Sequence, residues 1–237
     1  MANIYSDDAV LERYHIYMTH KIMRMSEADV LSKLSPSERV EFRATITAGV
    51  MATDMAKHFL LTEKLVQSSK TTPPFVVTDP ASRYAVYSNC LPYIFLGKCF
   101  RFRQALVGFV IHCADIGAQT QKKELALKWG QRVLEEFQHQ AALEEKLNIP
   151  TAPFMQGLDS ELARMKLQQG FVAGIVIPLW SALADCLPRL HPCVERAEIM
   201  KDFYEEQVQI LSVGVLASPR RSGTDVLLAS SSSKSLR

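Results

Sequence analysis

Nowhere in these 237 residues does polar alternate with apolar over the length of a strand; apolar side chains recur instead at helical spacing. Over 8–34 they fall at Val10, Leu11, Tyr14, Met18, Ile22 and Met25, which predicts a helix. Ser35-Pro36-Ser37-Glu38 predicts a sharp helix start: Ser35 caps, Pro36 suits the first helical position and Glu38 closes a capping box. No proline follows until Pro73, so this helix is expected to run to about Gln67, with Val40, Ile46, Val50, Met55 and Phe59 near its buried side. Further helices are expected over 102–114, over 122–147 with Leu125, Trp129, Val133, Phe137 and Leu143 inward, over 159–186 with a kink at Pro178, and over 195–211. Residues 68–82 and 148–157 read as loops, and 83–100 fits neither period. The tail from Ser212, with its SSSSKS run, is expected to be disordered. There is no internal repeat, and the fold class is all-α.

Composition narrows the function classes. A hydrophobic content of 48% supports a sizeable core, and a net charge of +2 is too small to imply a nucleic-acid or membrane partner. The most apolar window, 85–97, is uncharged for too few residues to span a bilayer. Cys90, Cys99, Cys113, Cys186 and Cys193 are odd in number and lack CxxC spacing, which reads as reduced thiols in a cytoplasmic protein. The start, MANIYSDD, is too polar for a signal peptide.

Chemistry is expected first at Asp115. The apolar run 105–111 delivers this one carboxylate into a turn marked by Gly117, and a lone Asp among apolar neighbours is costly to bury without a cation or a donor. Asp54, in MATDMAKH, is expected inside the long helix, where a solvated face is the competing reading. Gln168 and Phe171, three apart, share a helix face; an amide offers donor and acceptor side by side, and a ring can stack on a base. Taken alone, the stronger reading of the pair is a helix-surface amide and a core phenylalanine. None of the six histidines forms HExxH or HxH, and there is no Gly-rich phosphate loop and no GxSxG.

Together these pieces resemble a known family. VIHCADIG, then WGQRVLEEF, then KLQQGFVAGIVIPLWSALAD, preceded by DDAVLERYH and GVMATDMAKH, resemble the class I cyclic-nucleotide phosphodiesterases over roughly Tyr5 to Tyr204. The resemblance implies a compact helical catalytic bundle, here 1–211 followed by a 212–237 tail, that hydrolyses cAMP or cGMP. It implies two divalent metals, zinc with magnesium or manganese, whose bound hydroxide attacks phosphorus. Position by position it makes Asp115 a metal ligand and Glu12 the group that orients the general-acid histidine. Thr53 and Asp54 would line the metal-water network. Met55, Phe154 and Met155 would line the pocket, Gln168 would hold the purine and Phe171 would clamp it.

The family's HNxxH and HDxDH segments do not occur in these residues, so the expectation is a domain truncated on its N-terminal side that does not retain its metals or turn over alone. Ala118 stands where the family usually has an asparagine, Arg13-Tyr14 where it has Asn-His, and 83–100 reads as an insertion. The alternative is a non-catalytic remnant that binds nucleotide or pairs with a homologous phosphodiesterase chain.

Overall fold

The computed structural model describes residues 2–71 and 98–217, and the described residues contain helices and no strand. In chain order the helices are α1 (Ala2–Tyr5), α2 (Val10–Ile22), α3 (Pro36–Met51), α4 (His58–Thr71), α5 (Lys98–Asp115), α6 (Lys123–Lys146), α7 (Glu161–Phe171), α8 (Ile177–Cys186) and α9 (His191–Ala217). Short 3₁₀ turns fall at Met55–Lys57 and Gly117–Thr120, among others.

The core forms around the run from α7 to α8. Val172, Val176, Leu179 and Leu183 are fully buried there and meet Phe109 and Cys113 of α5, Leu65 of α4, and Met200 and Tyr204 of α9. Each such side chain contributes about 2 kcal/mol by leaving water. By length and composition the helical run Glu161–Cys186 could cross a membrane; the burial of these residues is what its apolar character serves here. Pro178 has no N–H to offer Gly174. The helix accommodates this by widening to a π-helical turn over Val172–Val176 before α8 resumes, which is the kink expected at Pro178.

The capping box forms as read. Ser35 accepts from the Glu38 N–H, and Glu38 accepts from the Ser35 N–H at 2.8 Å. The helix it opens does not run to Gln67. Thr53 donates its hydroxyl to the Val50 carbonyl at 2.8 Å, and the Asp54 carboxylate accepts from the Ala56 N–H at 2.9 Å. These local bonds end α3 and start a new turn, since short polar side chains satisfy backbone groups outside a helix. Similarly, α2 stops at Ile22 rather than near residue 34, where Asp29 accepts from the Leu31 N–H and closes a turn.

The inward faces also differ from expectation. Leu125, Trp129 and Leu143 of α6 are exposed, and the buried positions are Ala126, Gly130 and Leu134. The small residues let neighbouring helices approach closely, so packing selects their face over the bulkier one. Val40 (67% exposed), Met55 and Phe59 (70%) likewise face outward. The final helix extends to Ala217, beyond the Ser212 boundary, with the Ser212 hydroxyl on the Val208 carbonyl. The insertion expected over 83–100 lies outside the described residues apart from 98–100, which open α5, and the tail from 218 lies outside them entirely.

Ser35→Ala should remove the cap of α3 and lower stability by about 1 kcal/mol in urea denaturation.

Candidate functional site

The turn Gly117–Thr120 after α5 is the anchor of the candidate site. Gly117 lies against Trp180, whose ring carbon Cζ2 would stand 3.0 Å from any added Cβ. Thr120 donates its hydroxyl to the Gly117 carbonyl at 2.8 Å, and Arg196 of α9 donates to the Thr120 carbonyl at 2.5 Å. The turn is thereby tied to α8 and α9. Its Gln119 side chain is buried and heads a polar network.

Tyr204 donates its hydroxyl to Gln119 Oε1 at 3.3 Å. Gln119 Nε2 donates to Gln168 Oε1 and to the Ala126 carbonyl, both at 3.4 Å, and Gln168 Nε2 donates to the Gly130 carbonyl at 3.3 Å. Burial pushes the Tyr204 phenol up to about 12, so it stays protonated, and the Ala126 and Gly130 carbonyls, which only accept, set the direction in which each amide points. Gly130 is part of the fit: a Cβ there would lie 3.2 Å from Tyr204 Oη. Gln168 also lines a cleft of about 340 Å³ between α6, α7 and α9, with Leu134, Arg164, Met165 and Tyr204.

A second pair lies at the junction of α4 and α5. His58 Nδ1 and His112 Nε2 are 3.0 Å apart and both rings are fully buried. Burial, then the neighbouring His112, hold His58 below its ordinary range near 6.5; burial holds His112 down against the opposing field of Asp115. His58 Nε2 and His112 Nδ1 have no hydrogen-bond partner among the described residues. Whichever ring donates, one buried N–H and one buried lone pair are left over.

Of the residues singled out from sequence, Gln168 is buried in the network, while Phe171, at the end of α7, packs against the core. Asp115 is exposed rather than buried. The buried stripe of α5 runs through Phe109, His112 and Cys113, and Asp115 falls beside it. Asp54 is not mid-helix: it caps a 3₁₀ turn and its other oxygen pairs with Lys57 at 3.0 Å. Met155 is buried; Phe154 is half-exposed and meets the Phe137 ring edge-to-face at 5.3 Å. Met55 is exposed, and Glu12 sits half-buried on α2 with no hydrogen bond to the other candidates. Sequence reading did not find Gln119, Tyr204, Gly130 or the histidine pair, whose members are far apart in the chain.

Two divalent metals do not fit the described residues. No three His, Cys, Asp or Glu side chains among them converge as ligands. Asp115 joins no such group, Asp54 is held by Lys57, and the two buried histidines spend their facing nitrogens on each other.

Comparison with known proteins decides the family. The model of the 3′5′-cyclic nucleotide phosphodiesterase family matches residues 1–197. The chain belongs to the cyclic-nucleotide phosphodiesterase family. It is 28% identical over 212 residues to a Caenorhabditis elegans protein named "Probable 3′,5′-cyclic-AMP phosphodiesterase pde-4", covering 88% of this chain and 28% of that one. It is 26% identical over 225 residues to 3′,5′-cyclic-AMP phosphodiesterase 4C of Mus musculus, covering 93% and 30%. The chain thus spans less than a third of the length of these curated relatives. The phosphodiesterase domain of the rhodopsin fusion protein from the choanoflagellate Salpingoeca rosetta has the same fold, with a TM-score of 0.76 at 23% identity over 90% of this chain and 61% of that one.

Tyr204→Phe should leave Gln119 Oε1 without its buried donor and cost about 1–2 kcal/mol in chemical denaturation. The histidine pair sets a pH dependence. The unfolded chain takes up these protons near pH 6.5 and the folded chain only at lower pH, so stability is full above about pH 7.5 and declines as pH falls through 6.5. Denaturation midpoints measured from pH 8 to pH 5 should show this decline flattened in His112→Gln.

Proposed function

We propose that this chain forms the base-binding part of a phosphodiesterase catalytic domain whose substrate is cAMP or cGMP. Gln168 holds the purine edge, Phe171 flanks the ring, and Met55, Phe154 and Met155 border the pocket. Asp115 is the chain's own metal ligand, with Glu12, Thr53 and Asp54 on the phosphate side. The observation that carries the reading is the state of the Gln168 amide. One N–H goes to Gly130 and one lone pair to Gln119, so one donor and one acceptor remain side by side for a base. The relatives named for cyclic AMP make it the first nucleotide to test.

Metal-dependent hydrolysis is the family's chemistry, and we propose that the chain does not perform it alone. A single carboxylate does not assemble a two-metal site, so no catalytic step is assigned to these residues. The second reading is a non-catalytic module that binds nucleotide or a homologous chain. It is favoured by the completed Asp54–Lys57 pair, which leaves that carboxylate committed within the fold. A cytoplasmic setting belongs to the same proposal, with Cys113, Cys186 and Cys193 as free thiols.

Calorimetry of the full chain with cAMP and cGMP, without metal, should register binding that is lost in Gln168→Ala. Absence of heat with either nucleotide would refute base binding. A hydrolysis assay with zinc and magnesium should register no turnover; robust turnover that vanishes in Asp115→Ala would overturn the inactive reading.

A further inference from the structure

Away from the polar network, α2, α3 and α5 enclose a groove of about 600 Å³. Its floor comes from one stripe of α3, Val40, Ala44, Ala48 and Met51, at the spacing that puts side chains on one helix face. Its rim carries Arg43 and His20. Neither α2 nor the apolar stripe of α3 is fully covered: α2 has no buried residue, and Gly49 is the sole buried residue of α3.

Among the described residues the charge that lines this groove has one sign. Among the described residues neither Arg43 nor Arg24 makes a side-chain hydrogen bond or ion pair and no carboxylate lines the groove; Glu38 and Glu41 of α3 are outside its lining. Burial, then the guanidiniums of Arg43 and Arg24, hold His20 below its ordinary range, which registers the positive field at the rim. An apolar floor bordered by unpaired cations matches an apolar stripe bordered by carboxylates, the two faces that an acidic amphipathic helix carries side by side.

We propose that the groove between α2, α3 and α5 is a docking site for an acidic amphipathic helix of a partner protein. Burial of the stripe against the floor supplies affinity, and the rim cations select the partner's charge and speed its approach.

The test uses the full chain and a fluorescent amphipathic peptide of about five helical turns, its leucine stripe bordered by glutamates, with a lysine-bordered counterpart as control. By anisotropy at low salt the glutamate peptide should bind at least about tenfold tighter than the lysine peptide, and the gap should narrow as salt rises. Arg43→Glu should invert the preference, with an unchanged circular dichroism spectrum because Arg43 is exposed. In the complex, His20 should titrate at higher pH by NMR, since nearby carboxylates favour the imidazolium. Equal binding of the two peptides, or binding of neither, overturns the proposal. So does a stable dimer in sedimentation that Arg43→Glu dissolves, which makes a second copy the occupant. Preference for phosphatidylserine vesicles over the glutamate peptide overturns it too.

Discussion

Burial of one apolar strip, Val172, Val176, Leu179 and Leu183, is the constraint on which the other elements depend. It lies on a helical run that a proline would otherwise interrupt, and the π-helical turn before Pro178 keeps that strip continuous. Helices α4, α5 and α9 each meet it with apolar side chains. Because the strip belongs to the same run as Gln168, whatever fixes the core also fixes where that amide stands. The positional link between stability and the candidate base site is therefore covalent and short.

The two ends of the candidate site differ in how complete they are. Around Gln168 the polar groups answer one another, from Tyr204 through Gln119 to Gly130. Around Asp115 they do not: the carboxylate is exposed, and the nearest buried polar pair, His58 and His112, is turned on itself with its outer nitrogens unsatisfied. A buried network with every member paired contributes rigidity, and a half-paired one costs free energy. The surroundings of Gln168 are preorganised and those of Asp115 are not.

Much of this was legible in the sequence where the signal was local. The capping box at Ser35 needs only four residues, and the all-α class follows from the period of the apolar residues. The break at Thr53-Asp54 was misread because helix propensity and a short polar cap compete at the same place, and the cap won. The buried face of α6 was misplaced because Ala126 and Gly130 carry little hydrophobic signal, although their smallness is what admits Tyr204 and Gln119. Gln168 could be named from its motif, yet its partners could not. Gln119 and Tyr204 lie far apart in the chain, and the packing of α9 on the Gly117–Thr120 turn and on α7 brings them to Gln168. The same holds for His58 and His112, which no spacing rule connects.

The fixed direction of the network has a further consequence. Because the Ala126 and Gly130 carbonyls can only accept, Gln119 and Gln168 must each turn Nε2 toward one of them, and the two ends of neither amide can exchange places. A base that meets this amide encounters one order of donor and acceptor. Turning it over would strand buried partners at both ends, at a cost comparable to a tenfold or greater loss in affinity. Under the proposed base-binding role, selectivity between nucleobases would be a property of α6, which supplies both carbonyls, as much as of α7.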